Sequence, residues 1–513
     1  MASSKAVTKS NYRKKQHKKQ TDSLLQQAIL LHQRGELAAA EEYYEKVLSV
    51  NPKDSDALGN LGLLLHSLGQ TSKALGYYQQ ALAVAPHLGH LHYYLGNGLS
   101  ETGHNEQAVA AYENALALDH DPHGTLLQLG VCHTQLRQLT SARACFEKIL
   151  RQDPHCSPAR YHLGLLAFNE TRYQEAVDCF AAILQDDADN VDACFNLALS
   201  HKALGNTPAA LAFLHKASEI VPDDADIIYN IGVLHKTLGE LDKAESAFLR
   251  ALATTSDQGI VLTDLAILYH MQNRLEEAKA TYKKALAAGY HTEAASHMIA
   301  ALSGATTEAA PHEYVLDIFN NYAAEFEHSL TCDLQYDIPR KLAEIYKRHG
   351  GASLVTALDL GCGTGLAGQF FRDMTDHLTG VDLSENMLAL AAGKKVYDQL
   401  HCQELVDFLQ TRTGTYQLIV AADVFVYLGR LEPLFQAITS AHPHTEYLTF
   451  SVERCAGEGY CLRPSGRYAH SIAYISRLAE TFAFQVTHRQ ESGIRKERGE
   501  WIPGDLYLLQ RLR

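Results

Sequence analysis

The amino-acid sequence repeats itself with a period of 34 residues over the first half of its 513 residues. In eight successive units one position is always Ala, a second is always Gly or Ala, and a third is aromatic except where Leu214 stands. The three sets are Ala40, Ala74, Ala108, Ala142, Ala176, Ala210, Ala244 and Ala278; Ala28, Gly62, Gly96, Gly130, Gly164, Ala198, Gly232 and Ala266; and Tyr44, Tyr78, Tyr112, Phe146, Phe180, Leu214, Phe248 and Tyr282. Small residues at fixed places let paired amphipathic helices approach closely, and a large ring fills the gap between neighbouring units. The repeat therefore predicts a helical solenoid.

This pattern resembles the tetratricopeptide repeat, in eight uninterrupted units from Thr21 to about Thr292. The resemblance implies a right-handed superhelix whose first helices line a concave groove, and such arrays usually bind a protein or peptide. A further position, two residues before the small residue of each first helix, can form hydrogen bonds in all eight units: Gln26, Asn60, Tyr94, Gln128, His162, Asn196, Asn230 and Asp264. We expect these side chains to face the groove and to hold an extended polypeptide. The alternative is that they serve helix packing alone.

Composition and charge narrow the class of protein. The chain has no apolar run long enough for a membrane span and no segment with signal-peptide character, so we expect a soluble, cytoplasmic protein. Its net charge of -14 argues against a general affinity for nucleic acid or anionic membranes. Residues 1–20 are basic and are expected to form a disordered tail, with an arm for nucleic acid or an acidic partner as the alternative. The ten Cys residues lack CxxC spacing, which indicates reduced thiols and no metal site.

The sequence changes character after the repeats. Residues 293–312 are predicted to form a capping helix and a linker of small residues, and a second domain is predicted over residues 313–513. In that domain short apolar runs such as "SLVTALDL" and "YQLIVAADV" alternate with helical patterns. The alternation predicts a mostly parallel, doubly wound α/β sheet, in which ligands bind beyond the carboxyl ends of the strands. The chain as a whole is thus predicted to be multidomain, with a tail at 1–20, an all-helical solenoid at 21–292 and a Rossmann-like domain.

The turn in "LDLGCGTGLAG", after the first apolar run, has two interpretations. In one, Gly363, Gly365 and Gly368 satisfy the G-x-G-x-x-G fingerprint of dinucleotide binding. That register places Asp359 among the last residues of the strand, where its carboxylate would repel a pyrophosphate. In the other, Asp359 and the glycines from Gly361 onward form D-x-G-x-G-x-G, which resembles the first motif of class I methyltransferases that use S-adenosylmethionine. This cofactor carries no phosphate, so the second interpretation is favoured.

The resemblance implies a set of cofactor-binding residues. In chain order they are Tyr322, Phe326, Tyr336, Asp359, Gly361, Gly363, Gly365, Asp382 and Glu404. Asp359 would meet the cationic amino end of the cofactor, and Asp382 the ribose hydroxyls. Glu404 would meet the adenine amino group, in competition with Gln403. The three aromatic residues precede the sheet and would close over the cofactor, although an ordinary amphipathic helix would also place its rings in a core.

Contacts to the methyl acceptor are expected from the second half of the domain. Asp423, which follows the predicted strand in "IVAADVFVYL", would face the methyl donor. The segment "SVERCAGEGYCLRPSGRYAHSIAY" is predicted to be a polar, Gly-rich loop. Within it Tyr468 and His470 are candidates for positioning the nucleophile or removing a proton, and Arg467 for binding an anionic acceptor. Several polar groups in one loop are costly to bury together, which favours a site over a core.

Overall the sequence resembles predicted bacterial methyltransferases that carry amino-terminal tetratricopeptide repeats. The resemblance implies an active enzyme whose solenoid recruits a partner. Methyl transfer is an in-line displacement that depends mainly on alignment, so it requires no metal. The alternative is an interaction scaffold whose second domain is inactive or only senses the cofactor, and the intact acids and glycines favour the enzyme. The sequence leaves the acceptor open between a protein and a small molecule.

Overall fold

The computed structural model describes residues 21–319, 335–350, 354–412, 415–497 and 499–512. The predicted basic tail, residues 1–20, lies outside this part of the chain. The chain divides into two compact units, Met1–Leu238 and Gly239–Arg513. The eighth repeat and the predicted capping helix therefore belong to the same unit as the sheet. Each repeat of a solenoid contacts only its neighbours, so the repeat pattern by itself does not indicate where a compact unit ends.

The first unit is built from helices that alternate as the first and second helix of each repeat. They are α1 (residues 21–33), α2 (Leu37–Val50), α3 (Ser55–Ser67), α4 (Thr71–Val84), α5 (Gly89–Glu101), α6 (Asn105–Ala117), α7 (Pro122–Gln135), α8 (Leu139–Gln152), α9 (Ser157–Asn169), α10 (Tyr173–Asp186), α11 (Val191–Ala203), α12 (Thr207–Ile220) and α13 (Ala225–Thr237). Asp54, Asn190 and Asp224 precede first helices, and each side chain accepts a backbone N–H from the first turn. These caps satisfy donors that the helix itself leaves unpaired.

The regular spacing of small and aromatic residues reflects packing inside each repeat. A Cβ on Gly62 would lie 2.7 Å from Cε1 of Tyr78, and one on Gly130 would lie 2.5 Å from Cε1 of Phe146. Both rings are fully buried. The sequence pattern suggested that the ring fills the gap between neighbouring units, whereas the structure packs it against the small residue of its own unit. The predicted helical solenoid is confirmed, with this change in the role of the ring.

Two of the side chains predicted to face a partner are hydrogen-bonded to the solenoid itself. Asn196 donates from Nδ2 to the backbone oxygen of Asp192 at 2.9 Å and to the hydroxyl of Tyr161 at 3.2 Å. Asn230 donates from Nδ2 to the backbone oxygen of Asp226 at 2.9 Å. The solenoid thus uses part of the hydrogen-bonding capacity of this position, and polypeptide binding there stays a prediction.

The second unit contains the last helices of the repeat region and an α/β sheet. Its helices are α14 (Leu241–Thr254), α15 (Gly259–Met271), α16 (Leu275–Ala287), α17 (Thr292–Leu302), α18 (residues 312–319), α19 (Ile338–His349), α20 (Leu366–Phe371), α21 (Glu385–Lys394), α22 (Leu405–Thr411), α23 (Glu432–Ala441) and α24 (Ile472–Thr481). Its strands are β1 (Leu354–Leu360), β2 (Thr375–Asp382), β3 (Gln399–Cys402), β4 (Leu418–Ala421), β5 (Tyr447–Arg454), β6 (Tyr460–Leu462), β7 (Tyr468–His470), β8 (Phe484–Glu497) and β9 (Glu500–Arg511).

The sheet is mostly parallel, as predicted. The strands β3, β2, β1, β4 and β5 are parallel neighbours in this order. Next to β5 lies β9, which is antiparallel to both β5 and β8. Glu453 of β5 pairs with Gly504 of β9 on one edge and with Ala469 of β7 on the other. The short hairpin β6–β7 therefore continues the sheet on the side of β5 that β4 occupies.

Helices cover both faces of the sheet, which confirms the predicted layering. Leu358 of β1 belongs to a buried cluster with Phe435 of α23 and Leu478 of α24. The preceding residue, Ala357, belongs to a second cluster with Leu342 of α19. Since successive side chains of a strand point to opposite faces, these clusters are the two cores of the α/β layers.

The segment between α17 and α18, which was predicted to be a linker, is bonded to the loop after β4. Ala309 forms an antiparallel bridge with Leu428. The N–H of Ala310 donates to the oxygen of Tyr427, and the N–H of Gly429 donates to the oxygen of Glu308, both at 2.9 Å. The linker is thus part of the second unit's structure.

Within the described ranges, no helix combines the length and hydropathy that a membrane span requires. The same ranges contain no group of three or more His, Cys, Asp or Glu side chains placed to hold a metal ion.

Candidate functional site

A cavity of about 620 Å³ lies at the carboxyl ends of the parallel strands. Its wall is formed by the turn after β1, by residues that follow β2, β3 and β4, and by the segment from 308 to 319. The predicted site residues in its wall are Tyr336, Gly361, Gly363, Asp382, Glu404, Asp423 and Arg467. The other predicted residues that the structure describes lie outside the wall: Asp359, Gly365, Tyr468 and His470. This edge of a parallel sheet is where ligands bind.

The glycine turn has a backbone that other residues adopt only with strain. Gly361, Gly363 and Gly365 have φ of 64°, 53° and 87°, in the left-handed region. A Cβ on Gly361 would lie 2.7 Å from Cγ2 of Val424, so this position also needs the space. A Cβ on Gly363 would have no atom within 4 Å, and the residue borders the cavity. A ligand can therefore approach the backbone of the turn closely.

The ring of Tyr397 packs behind this turn. A Cβ on Gly365 would lie 3.0 Å from the ring, and one on Gly368 would lie 2.5 Å from it. The hydroxyl of Tyr397 accepts the N–H of Gly368 at 3.2 Å and donates to Oδ2 of Asp359 at 2.6 Å. Gly368, which completes the dinucleotide fingerprint, is thus accounted for by the space that Tyr397 needs. The sequence carried no signal for Tyr397, because its contact with the turn arises only from the fold.

Asp359 is buried next to Tyr397. Its Oδ1 atom has no hydrogen-bond partner in the part of the chain that the structure describes. Burial raises the pKa of Asp359 to about 7; the Tyr397 hydroxyl opposes this shift, and the negative charge of Asp382 adds to it. The resemblance implied that Asp359 contacts a cofactor, but the structure places it outside the cavity wall, where the tyrosine takes one of its oxygens.

Two other predicted acids do line the cavity. Asp382 accepts the N–H of Gly363 on Oδ2 at 2.8 Å and the N–H of Ser384 on Oδ1 at 2.9 Å. Burial raises the pKa of Asp382, while these backbone donors oppose the shift. Glu404 caps α22 by accepting the N–H of Asp407 at 2.8 Å. Glu404 and Gln403 were the two candidates for contacting an adenine amino group; Glu404 lines the cavity and Gln403 does not.

Beyond β4 the cavity wall carries a network of buried charges. Asp423 has φ of 60° and donates its backbone N–H to the hydroxyl of Ser451 at 2.8 Å. Its two carboxylate oxygens accept from Nη1 of Arg495 at 3.1 and 3.0 Å. Arg495 also donates from Nη2 to Glu453 and from Nε to Glu497, the latter at 3.0 Å. The guanidinium is almost completely buried and is fully engaged by three carboxylates.

Arg495, which the sequence analysis missed, owes its position to an irregularity of the last hairpin. Gly493 pairs with Pro503 and Lys496 pairs with Trp501, so two residues of β8 stand opposite one residue of β9. In this bulge Ile494 and Arg495 are both buried, although consecutive strand residues normally point to opposite faces. The bulge turns the guanidinium toward the cavity, and no pattern in the sequence indicates it.

Arg467 lines the same part of the cavity, as expected for a binding residue. It donates from Nη1 to Oε1 of Glu497, the oxygen that also accepts from Arg495. Although burial opposes the shift, Arg467 and Arg495 hold the pKa of Glu497 below its usual value. Two guanidinium groups thus share one carboxylate at the cavity wall.

The aromatic residues predicted to cover the cofactor are described only in part. Tyr336 is buried and lines the cavity, and burial raises the pKa of its hydroxyl well above the usual value. Tyr322 and Phe326 lie outside the described residues. The wall has further aromatic members that the sequence analysis did not identify, namely Phe319 of α18 and Tyr427, whose ring centroids are 5.5 Å apart.

Tyr468 and His470 were predicted to act on the acceptor, and the structure corrects this. Both belong to β7 of the β6–β7 hairpin, which replaces the predicted polar loop. The hydroxyl of Tyr468 is hydrogen-bonded to that of Thr307. His470 is 1% exposed, is hydrogen-bonded through Nε2 to the oxygen of Gly429, and has its pKa lowered to about 4 by burial. A neutral, enclosed imidazole of this kind is a core residue.

Family profiles match both halves of the chain. A profile described as a methyltransferase domain matches residues 358–444. Three tetratricopeptide-repeat profiles match residues 20–87 and 224–290, residues 165–229, and residues 93–157 and 127–191. The chain is therefore a tetratricopeptide-repeat protein with a methyltransferase domain. No curated protein matches it.

Solved structures similar to this chain include several repeat proteins. YrrB, described as a TPR protein with an unusual peptide-binding site, is 25% identical; the match covers 36% of this chain and 96% of YrrB, with a TM-score of 0.33. TTC0263, a TPR protein of Thermus thermophilus, is 26% identical over 35% of this chain and 98% of its own, with a TM-score of 0.30. The carboxy-terminal part of a TPR repeat-containing protein from Cytophaga hutchinsonii is 17% identical. That match covers 46% of this chain and 98% of the Cytophaga chain, with a TM-score of 0.41.

Proposed function

We propose that this protein is a class I methyltransferase that uses S-adenosylmethionine and whose repeats recruit a protein or peptide partner. The observation that carries the proposal is one cavity that joins a left-handed glycine turn to carboxylates at the ends of neighbouring parallel strands. A dinucleotide would bring a pyrophosphate to this turn, where the N–H of Gly363 is already taken by Asp382. A cofactor that offers hydroxyl and amino groups suits these acids.

The residues around the turn fit this cofactor by their chemistry. Gly361 and Gly363 leave no side chain between the backbone and a ligand. Asp382 can accept hydrogen bonds from ribose hydroxyls, and Glu404 can accept one from an adenine amino group. Tyr336 supplies an aromatic surface beside them. When bound, the cofactor supplies an electrophilic methyl group carried on a sulfonium sulfur.

At the other part of the cavity, Asp423 and Arg495 orient the acceptor. Because Arg495 donates to both oxygens of Asp423, the carboxylate is held in a fixed orientation. We assign Asp423 the role of accepting a hydrogen bond from the acceptor and fixing its direction of approach. Apolar residues such as Phe319 exclude water from the reacting groups.

A binding experiment tests the cofactor assignment. The full-length chain is titrated calorimetrically with S-adenosylmethionine, with S-adenosylhomocysteine and with NAD. We expect saturable binding of the first two and none of NAD. Saturable binding of NAD without a response to the methyl donor would contradict the proposal. Transfer of tritiated methyl groups into a fractionated lysate, scored separately for protein and small molecules, then reports whether the domain is active and to which class its acceptor belongs.

The recruitment assignment has its own test in the repeats. Changing Asn60, Asn196 and Asn230 together to Ala is expected to weaken capture of polypeptides while leaving cofactor binding intact. Asn114→Ala, at an exposed position on the second helix α6, is the matched control. If the triple variant captures polypeptides as well as the wild type does, the polar position of the first helices serves helix packing alone.

A further inference from the structure

Arg467 is fixed in position by the turn that joins β6 to β7. The N–H of Arg463 donates to the oxygen of Arg467 at 2.8 Å, and the N–H of Gly466 donates to the oxygen of Arg463 at 2.9 Å. Nε2 of His297 in α17 is hydrogen-bonded to the oxygen of Gly466 at 2.9 Å. Gly466 has φ of 78°, and a Cβ there would collide with the hydroxyl of Tyr314. The backbone that carries Arg467 is therefore held from both sides.

The guanidinium of Arg467 has more donors than the described part of the chain uses. A guanidinium carries five N–H donors. In the described part of the chain, its only hydrogen-bond acceptor is Glu497, whose Oε1 is shared with Arg495. The side chain is only 26% exposed and lines the cavity. Donors that are mostly withdrawn from water and lack an acceptor cost free energy, which an acceptor-rich ligand would recover.

The hydrogen bonding around Arg467 favours an oxyanion as its ligand. Arg495 is neutralised by Asp423 and Glu453 as well as by Glu497, and Glu453 has a further partner in Arg463 at 3.3 Å. In the described part of the chain, Arg467 is hydrogen-bonded to one carboxylate, Glu497, which it shares with Arg495, and the negative charge of Asp423 also acts on it. A carboxylate or phosphate matches the planar fork of a guanidinium and binds it through two parallel hydrogen bonds.

Three aromatic rings also line the cavity, and one of its sides is closed by backbone. The rings of Phe319, Tyr336 and Tyr427 line the cavity together with Arg467. The backbone of Glu308 and Ala310 is bonded across to the loop after β4 and closes one side. A cavity of about 620 Å³ falls in the range typical of small-molecule sites.

We propose that the methyl acceptor is a small molecule with a ring and an oxyanion group, either carboxylate or phosphate, and that Arg467 holds this oxyanion. This inference rests on the proposed methyltransferase function and names its substrate class. The oxyanion anchors the acceptor, and Arg467 acts as the specificity-determining residue.

The test uses the full-length chain saturated with S-adenosylhomocysteine. Benzoate and phenyl phosphate are the anionic probes, benzamide is the neutral probe and benzylamine is the cationic probe, all titrated calorimetrically. We expect at least one anionic probe to bind about tenfold or more tightly than benzamide. The stronger of the two anionic probes identifies the oxyanion. Equal binding of benzamide, or tighter binding of benzylamine, would overturn the proposal.

Variants of Arg467 test whether this residue causes the preference for anionic probes. Arg467→Gln is expected to abolish the preference for the anion, and Arg467→Lys to retain part of it because the charge remains. Arg489→Gln is the matched control, since Arg489 is similarly exposed and is also one of two arginines on a single carboxylate, Asp505, but lies outside the cavity wall. Should Arg467→Gln not fold, the wild-type comparison and Arg467→Lys decide the question. Because binding of S-adenosylhomocysteine is measured first, its absence would contradict the proposed function, whereas its presence without an anion preference would contradict only this inference.

Discussion

Asp382 has both carboxylate oxygens occupied by backbone N–H groups, from Gly363 and Ser384. These bonds fix the carboxylate at the cavity wall and leave lone pairs for two further hydrogen bonds. We expect Asp382→Ala to weaken binding of S-adenosylhomocysteine by about 2–4 kcal/mol, as for the loss of a charge-assisted contact pair. Calorimetric titration measures this loss. Asp407→Ala, which removes an exposed acid of α22, is the control, and equal affinity of the two variants would contradict the role of Asp382.

Asp359 makes the stability of the second unit depend on pH. Its pKa is raised to about 7, so between pH 4 and pH 7 the folded chain binds a proton that the unfolded chain has released. Stability therefore falls as pH rises through this window and levels off above it. We expect the free energy of unfolding of Asp359→Asn, relative to that of wild type, to be higher at pH 8 than at pH 5 by roughly 2–3 kcal/mol.

Denaturant unfolding followed by Trp501 fluorescence measures this difference, because Trp501 is the chain's single Trp and lies on β9. The facing groups that contribute are Asp382, whose charge raises the pKa of Asp359, and the hydroxyl of Tyr397, which lowers it. Tyr397→Phe keeps the ring and should extend the fall in stability to higher pH. A difference between Asp359→Asn and wild type that is the same at both pH values would contradict the assignment.

The site residues that could be predicted from the sequence are those whose position follows from a single strand and its carboxyl end. Gly361, Gly363, Asp382 and Glu404 stand at the end of a strand or within three residues after it, so their place at the cavity follows from chain order and parallel pairing. Arg495 could not be predicted, because its direction depends on a bulge between β8 and β9. Tyr468 and His470 were misassigned for a related reason: polar residues near glycines suggested a loop, and only the β6–β7 pairing shows that they are buried.

At the scale of the elements, the second repeat packs a glycine against a buried ring and has no room there for a large side chain. A Cβ added to Gly62 in α3 would lie 2.7 Å from Cε1 of Tyr78, whereas a Cβ added to Gly76 in α4 would have no atom within 4 Å. Other units hold Ala at the first of these positions, as at Ala28 and Ala266, so a single methyl is tolerated and Leu is the sharper test. We expect Gly62→Leu to destabilise the first unit by about 1–3 kcal/mol through overpacking.

Gly76→Leu is the matched control in the same repeat. It should be neutral or stabilising, because Leu is a better helix former than Gly. The midpoint of unfolding, followed by the far-ultraviolet circular dichroism of the helices, compares the two variants. Equal midpoints would show that the glycine is not required by the ring.

The elements themselves were largely predictable from local patterns. One period of the repeat contains two amphipathic helices, and Pro or a capping acid separates the units, so α1 to α16 follow from the period. The linker after α17 was not predictable, because its bonds to Leu428 and Tyr427 come from residues more than one hundred positions away. The small residues of this segment were interpreted as a linker. In the structure they allow the backbone at Ala309 to approach the backbone at Leu428 closely.

At the scale of the molecule, the boundary between the compact units falls between the two helices of the seventh repeat, at Leu238 and Gly239. Three sets of contacts tie the end of the repeat region to the α/β sheet. His297 is hydrogen-bonded to the oxygen of Gly466, Thr307 to Tyr468, and Ala309 is paired with Leu428. The capping helix α17 and the linker after it are therefore expected to support the cavity, since Gly466 precedes Arg467 and Leu428 lies in the cavity wall.

We accordingly expect a fragment that begins at Gly239 to fold and to bind S-adenosylhomocysteine as the full chain does, and a fragment that begins at Pro311 to bind it at least tenfold more weakly. The shorter fragment loses the partners of Gly466, Tyr468 and Leu428, so that two sides of the cavity lose their support. Trp501 fluorescence in denaturant reports whether each fragment folds, and calorimetry reports its affinity. His297→Ala in the full chain removes the hydrogen bond to Gly466 without shortening the chain. We expect this variant to have a lower unfolding midpoint and still to bind S-adenosylhomocysteine. Equal affinity and equal midpoints in the two fragments would show that the sheet supports the cavity without α17 and the linker.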